Sequence, residues 1–99
     1  MHDLNGYEPV HAVIATVNNK VFKGKFVKLV ALKDSDFAFI KSDQIQLDSG
    51  DIGQADDFAF KRAAEIEGIL ITEFQLKGGS QVLAYSLTSE IKIENATEE

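Results

Sequence analysis

The sequence contains no cysteine and no tryptophan, and it has one proline and one methionine. Without cysteine the chain has no disulfide bond, no thiolate zinc site and no cysteine nucleophile. It also lacks an apolar run long enough to span a bilayer, and its first residues lack the basic region and apolar core of a signal peptide. These absences predict a protein that is soluble where it is made.

Basic residues are scarce, since 10 Lys+Arg stand against 16 Asp+Glu and give a net charge of −6. This balance argues against binding nucleic acid through its phosphates, which lysines and arginines must neutralise. Five lysines nevertheless form a stripe between residues 20 and 33: Lys20, Lys23, Lys25, Lys28 and Lys33. The stripe either docks to an acidic partner or is a solvated strand face whose lysines protect a sheet edge.

Few residues fit catalysis or metal binding. His2 and His11 have no companion at metal-ligand spacing. The aspartates of 34–36 and 48–51 do not complete a calcium loop, and aspartates in turns usually serve the turn. The sequence has no nucleophile elbow, phosphate-cradling loop or dinucleotide fingerprint. We expect no enzyme activity, no cofactor and no metal.

What the sequence does contain is a series of short β-branched and aromatic segments separated by turn residues, in a chain long enough for one domain. They predict a mainly β fold, a small antiparallel β-sandwich or barrel-like domain with at most one short helix and an extended N-terminal arm. The expected boundaries are residues 1–9 for the arm, 10–94 for the domain and 95–99 for a flexible acidic tail. The arm either lies along a neighbouring subunit or is a frayed terminus.

Four segments carry specific expectations. Residues 10–17 are nearly all apolar, which suits a strand covered on both faces. Residues 21–32 change parity near Gly24, which predicts a bulge where the strand swaps its buried face. Residues 66–85 place Gly78-Gly79-Ser80 between two apolar strands, which predicts a β-hairpin.

The fourth segment, residues 54–67, is ambiguous. Ala55, Phe58, Ala59, Ala63 and Ile66 fall on one side of a helix, and Gly68 follows its end. The alternative is a loop and a strand on which Phe58 and Phe60 point together. Alanine and charged content favour a short helix around residues 55–66.

Five features follow one another along the chain. The first three are the apolar segment 26–32, the acidic turn 34–37 and the Gly50-Asp51 step. The last two are a strand ending in Phe74-Gln75-Leu76 and, after a small-residue turn, an apolar strand ending in Ala84-Tyr85. In this order, residues 22–85 resemble a module of small structural proteins on tailed-bacteriophage virions. Where that family usually has a Pro-Ala-Gly turn, this chain has Lys-Arg-Ala-Ala-Glu at 61–65, and its last turn is one residue longer.

The resemblance implies a capsid decoration (cement) protein that binds the outer capsid surface and stabilises the head by bridging capsid subunits. Its partner would be the major capsid protein, with no nucleic acid and no membrane, and it would form a homo-oligomer, a trimer being favoured. It would lie on the virion surface, after assembly in the host cytoplasm. A head-fibre base or tail component belongs to the same class.

Two other functions stay open, a small acidic phage-encoded inhibitor or DNA mimic, and a small enzyme. A mimic needs acidic residues regularly spaced on one face, whereas here they cluster in turns and tails. For partner binding we select two arm residues, three lysines of the stripe, and two phenylalanines on condition that they are not core. These residues are Leu4, Tyr7, Lys23, Lys25, Lys28, Phe37 and Phe39.

Overall fold

The computed structural model describes residues 10–96, which form seven β-strands and contain no helix. The strands are β1 (His11–Ala15), β2 (Lys20–Ala31), β3 (Ser35–Gln46), β4 (Ile52–Phe60), β5 (Glu65–Leu76), β6 (Val82–Ser86) and β7 (Lys92–Asn95). The pairings that join them into one sheet are antiparallel. The mainly β, antiparallel fold class is therefore confirmed. None of residues 10–96 belongs to a helix of the length and apolarity that crossing a membrane requires.

The strands follow the order β1-β6-β2-β5-β3-β4, so β2 and β5 are central and β1 and β4 form the edges. One side of β2 pairs with β5. The other side is shared, because Lys20–Lys23 pair with β7 and Phe26–Ala31 pair with β6. Strand β2 is therefore the element on which the rest of the sheet is assembled.

Strand β2 changes register at the point where the sequence predicted a bulge. Its pairing with β5 shifts between Lys23 and Phe26, and Phe26 and Val27 are both buried although they are adjacent. Gly24 lies at this shift, where a Cβ atom would come within 3.3 Å of the Phe26 ring. The predicted swap of buried face near Gly24 is confirmed.

The predicted hairpin over residues 66–85 is wrong in its pairing, although both of its strands exist. Strands β5 and β6 do not pair with each other, because β2 lies between them and both run antiparallel to it. The connection over residues 77–81 spans at most about 20 Å, whereas a straight strand of β2's length would cover about 40 Å. Strand β2 must therefore bend, bringing its two ends close enough for this link.

Two buried serines fasten that link to the start of β3. The Ser80 hydroxyl accepts a hydrogen bond from the Asp36 amide at 3.0 Å and donates to the Asp36 carbonyl at 3.1 Å. The Ser35 hydroxyl accepts from the Gln81 amide at 3.0 Å and donates to the Lys33 carbonyl at 2.8 Å. These bonds satisfy backbone groups that burial would otherwise leave unpaired.

The short helix favoured for residues 54–67 is absent, which is a correction. The segment forms β4, a turn over residues 61–64 and the start of β5. Asp57 and Ala63 have φ angles of 49° and 73°, which a right-handed helix does not contain. Pairing of β4 with β3 outweighs the helix preference of alanine, which is the highest of any residue but amounts to less than about 1 kcal/mol per residue. The alternative is confirmed in one respect, since Phe58 and Phe60 both contact Phe37, at ring distances of 5.1 and 5.2 Å.

The core is built around phenylalanine rings. Phe74 of β5 stacks on Phe22 at 5.0 Å and meets Phe26 edge-on at 5.0 Å and Phe37 edge-on at 5.9 Å. The rings therefore join β2, β3 and β5 across the middle of the sheet. The other buried apolar residues of this core are Ala15, Leu29, Ala31, Ile40, Phe60, Ile71, Leu76, Val82 and Ala84.

The sheet extends slightly past the predicted end of the domain at residue 94. Asn95 is the last residue of β7, and the Ala96 amide donates a hydrogen bond of 2.9 Å to the Asn19 carbonyl. The rest of the predicted acidic tail, residues 97–99, and the predicted arm, residues 1–9, lie outside the described residues.

Candidate binding surface

Residues 10–96 contain no group of three or more histidine, aspartate or glutamate side chains arranged to hold a metal ion. Two aspartates of the predicted turns form hydrogen bonds at turns, Asp51 within its own turn and Asp34 with the turn that follows β4. The Asp34 carboxylate accepts a hydrogen bond from the Arg62 amide at 2.9 Å, and the Asp51 carboxylate accepts from the Ser49 hydroxyl at 3.1 Å. A shallow, open depression lies beside Gly24 and Ile91, and its polar lining is exposed. It offers no enclosed space in which a reaction would be shielded from water.

Two lysines of the stripe, Lys23 and Lys28, are paired with acidic residues on neighbouring strands. Lys23 Nζ lies 3.0 Å from Glu94 Oε1, and Lys28 Nζ lies 3.4 Å from Glu67 and 3.6 Å from Glu65. The hydrogen bond and charge of Glu94 raise the pKa of Lys23 above 10.5. Partial burial is the largest single influence on the pKa of Lys28 and lowers it, but Glu67 and Glu65 together outweigh it and raise that pKa. These pairs offset the positive charge of Lys23 and Lys28.

Edge protection does not explain the lysines of β2, because β2 lies in the interior of the sheet. Lys23 and Lys28 occupy solvent-facing positions of this central strand, and their partners come from β7 and β5. Lys25 is exposed and forms no ion pair with any described residue. Within the stripe, Lys23 and Lys28 therefore form cross-strand ion pairs at the surface of the sheet.

A different surface, on the outer side of β1, β6 and β2, is apolar. Ile14 is opposite Leu83, and Leu83 is opposite Val30, so these three side chains form a row across three neighbouring strands. In the next row Ala12 is opposite Tyr85, which is opposite Lys28. Val10 precedes β1 on the same parity. We call Val10, Ile14, Val30, Leu83 and Tyr85 the apolar face.

No described residue covers the apolar face. Val10 is 70% exposed and Ile14 is 55% exposed. The other side of β1 packs on the core, where Ala15 is fully buried and Val13 is partly buried. The sequence predicted that residues 10–17 form a strand covered on both faces. Residues 10–96 cover only one face of β1, so this prediction is wrong.

Tyr85 is the aromatic member of the apolar face. It is half-buried between its strand neighbours, and Lys28 Nζ lies 5.8 Å from the centroid of its ring. An amphipathic ring beside a cation suits a protein interface, because it offers apolar area together with a hydroxyl that forms hydrogen bonds. Lys28 therefore borders this face while it pairs with Glu65 and Glu67.

The two phenylalanines proposed for partner binding have different positions. Phe37 is fully buried in the core, so the condition set for it is not met. Phe39 points to the outer face, where it is half-buried and lies 5.6 Å from Lys41 Nζ. A register shift between the two residues in the pairing with β5 puts them on opposite sides of the sheet. Leu4 and Tyr7 fall outside the described residues.

No member of the apolar face is among the residues that the sequence selects for partner binding. Residues 10–17 and 82–85 are both apolar at consecutive positions, and for 10–17 this pattern predicts burial on both faces. The same pattern is typical of a strand with one core face and one face awaiting a partner. Topology places the two segments side by side in the structure, and residue spacing in the sequence does not indicate that.

No family model, no curated protein and no solved structure matches this chain.

Proposed function

We propose that this protein is a virion structural protein of a tailed bacteriophage, most concretely a capsid decoration protein bound to the outer capsid surface. The observation that carries the proposal is the apolar face, an uncovered sheet surface with an aromatic member. The resemblance of residues 22–85 to a virion module supports the choice of partner. A binding role also agrees with the absence of a metal-ligand group among residues 10–96.

Binding would take place by burial of the apolar face on the major capsid protein. A standard interface removes about 800 Å² from water on each partner. The aliphatic members Ile14, Val30 and Leu83 supply apolar area, and Tyr85 fits the aromatic anchor common at interface centres. The ion pairs of Lys28 with Glu65 and Glu67 suit the polar rim of such an interface.

Stabilisation of the head would follow from mass action. A protein that contacts two capsid subunits at once buries its full interface only on the assembled shell, so its binding free energy favours that shell. In this proposal the protein is located on the virion and acts there without a cofactor. It would reach the capsid from the host cytoplasm during assembly.

The alternative of an acidic inhibitor or DNA mimic has less support. A mimic of the phosphate backbone needs a row of carboxylates free to meet a basic partner. Four glutamates on the outer side of the sheet pair with lysines instead: Glu65, Glu67, Glu73 and Glu94. Among residues 10–96 the acidic and basic side chains therefore alternate where a mimic would be uniformly acidic.

Quantitative mass spectrometry of purified virions tests the location. We expect a molar ratio to the major capsid protein near unity or a simple fraction of it. A few copies per particle would assign the protein to the tail or portal. Absence from the virion would contradict the structural role and favour the inhibitor.

The Leu83→Glu variant tests the binding surface. Leu83 lies in the middle of the apolar face on an interior strand, so a charge there would have to be buried on binding. We expect affinity for capsids lacking the protein to fall at least about tenfold, or 1.4 kcal/mol. The control is Ile93→Glu, which places the same charge at a 52% exposed isoleucine of β7. Equal affinity of the two variants, with circular dichroism showing both folded, would rule out the apolar face as the capsid-binding surface.

A further inference from the structure

The strand order ends in β1 and β4, and these two edge strands differ in how they are protected against pairing with another chain. Among the described strands β7, which pairs with β2 alone, is a third edge. At β4, Gly53 and Asp57 have φ angles of 118° and 49°, and the register with β3 shifts between Lys41 and Gln46. Asp56 and Asp57 are exposed along the strand. Irregular backbone and charge are the devices by which natural sheets prevent edge-to-edge association.

Strand β1 has none of these devices. Its pairing with β6 runs from His11↔Ser86 to Ala15↔Val82 without a register shift. The described residues with positive φ are all in other segments. Its sequence, His-Ala-Val-Ile-Ala, has no aspartate, glutamate, lysine, arginine or proline. It is therefore a regular, apolar edge that is ready to accept another strand.

We propose that β1 pairs antiparallel with β1 of a second copy of this chain, so that one sheet continues through a twofold dimer. A twofold axis at Ala12 places Val10 of each copy opposite Ile14 of the other, and His11 opposite Val13. Apolar residues meet apolar residues on the outer side, and the small Ala12 side chains meet at the axis. The interface is self-complementary, as a twofold contact requires.

Charge identifies a second copy as the occupant. A twofold axis brings each charged group near its own copy, so an edge that carried aspartates, as β4 does, would repel itself. The chain has a net charge of −6, yet β1 carries no acidic residue. The free edge of β1 is therefore one place where two copies of this acidic protein can approach each other without bringing carboxylates together.

Pairing would join the two apolar faces, because Val10 and Ile14 lie on the outer side at the shared edge. The dimer would present one continuous apolar surface and so span two neighbouring capsid subunits. This last step rests on the proposed function, whereas the pairing of β1 does not. The twofold dimer replaces the homotrimer that the resemblance implies.

Sedimentation equilibrium of the purified protein without capsids tests the pairing. We expect a mass twice the 10.9 kDa of one chain. We expect Ala12→Lys, which sets two positive charges against each other at the axis, to raise the dimer dissociation constant at least about tenfold. The control is Ala59→Lys, which adds the same charge at an exposed position of β4 and should leave the dimer unchanged. A monomer at concentrations up to about 1 mM, a trimer, or equal behaviour of the two variants would overturn the proposal.

A cross-linking experiment keeps the test valid if Ala12→Lys fails to fold. Because the chain has no cysteine, Ala12→Cys introduces a single thiol. Residues directly opposite on antiparallel strands have Cα atoms about 4.5–5.5 Å apart, within the range of a disulfide. We expect Ala12→Cys to oxidise to a covalent dimer at least about tenfold faster than Ala59→Cys. Equal oxidation rates would overturn the proposed axis. Capsid binding is not measured in either experiment, so failure of the dimer is distinguishable from failure of the proposed function.

Discussion

Among single residues, Phe74 is a centre of ring packing in the core, a position it shares with Phe37. It is fully buried, and its ring meets Phe22, Phe26 and Phe37, which belong to β2 and β3. Aromatic pairs at these distances add about 0.5–1.5 kcal/mol beyond the area they bury. Loss of this ring would remove contacts in three directions at once.

We expect Phe74→Ala to lower the free energy of unfolding by about 3–5 kcal/mol, because the cavity lies between strands that cannot collapse onto it. Phe39→Ala removes the same ring from the outer face, where Phe39 is half-buried, and should cost about 1 kcal/mol. Urea denaturation followed by circular dichroism measures both values. Similar losses for the two variants would contradict the placement of Phe74 at the core centre.

For single residues, the sequence predicts the buried face correctly where a local pattern determines it. It does not predict a residue's face or partner where a segment distant in sequence determines them. Gly24 was correctly associated with a swap of buried face, since the parity change is visible in the sequence. The roles of Phe37 and Phe39 were not separable, because two residues of equal parity share a face unless a register shift intervenes. The partners of Lys23 and Lys28 lie on strands far along the chain, and spacing does not reveal them.

Among the elements, the link between β4 and β5 depends on the backbone conformation of Ala63. Its φ of 73° lies in the left-handed region, which costs a residue with a Cβ about 1–2 kcal/mol. Its amide donates a hydrogen bond of 2.8 Å to the Ala31 carbonyl at the end of β2, and this bond holds the turn against the sheet.

We expect Ala63→Gly to raise the free energy of unfolding by about 0.5–1 kcal/mol, because relief of left-handed strain exceeds the greater unfolded-state entropy of glycine. Ala55→Gly is the matched control. Ala55 pairs with Ile40 in β4 at negative φ, so the same change should destabilise the protein by about 0.5–1 kcal/mol. Thermal unfolding of both variants checks the signs. Destabilisation by Ala63→Gly would show that Ala63 does not adopt this backbone conformation.

The strands were predictable from the sequence, and two of the connections were not. Alternation and β-branched content located most of the strands, whose existence depends on local composition. The hairpin over 66–85 failed because a glycine turn indicates a reversal of direction but does not exclude a third strand between its arms. The helix over 54–67 failed because alanine is compatible with both structures and pairing with β3 decides between them. The candidate site was missed for the same reason, since β1 and β6 are neighbours only in the folded sheet.

For the molecule as a whole, most of the pairing is between segments distant in sequence. Strand β2 pairs with β5, β6 and β7, and β1 pairs with β6. Among the strands of residues 10–96, only β3 and β4 are consecutive in sequence and paired with each other. Loop closure must precede such distant pairing, which makes sheets of this kind slow to fold.

We expect refolding from urea to occur over milliseconds to seconds, the range of small all-β domains with distant pairing. Stopped-flow fluorescence of the tyrosines measures this rate. Completion within the dead time of mixing would indicate that the sheet forms from local hairpins, contrary to the strand order.

The central place of β2 also matters while the protein is being synthesised. Every strand that pairs with β2 is encoded after it, and β7, which covers its first residues, is the last of the seven. The apolar segments of β1 and β2 therefore leave the ribosome long before their neighbours exist. Until β5 emerges, the nascent chain offers β2 as a long, unpaired and largely apolar strand to other chains in the cell. One side of its first residues stays unpaired until β7 is made. For this protein, the period of greatest risk of misassembly falls during translation, before the native sheet has formed.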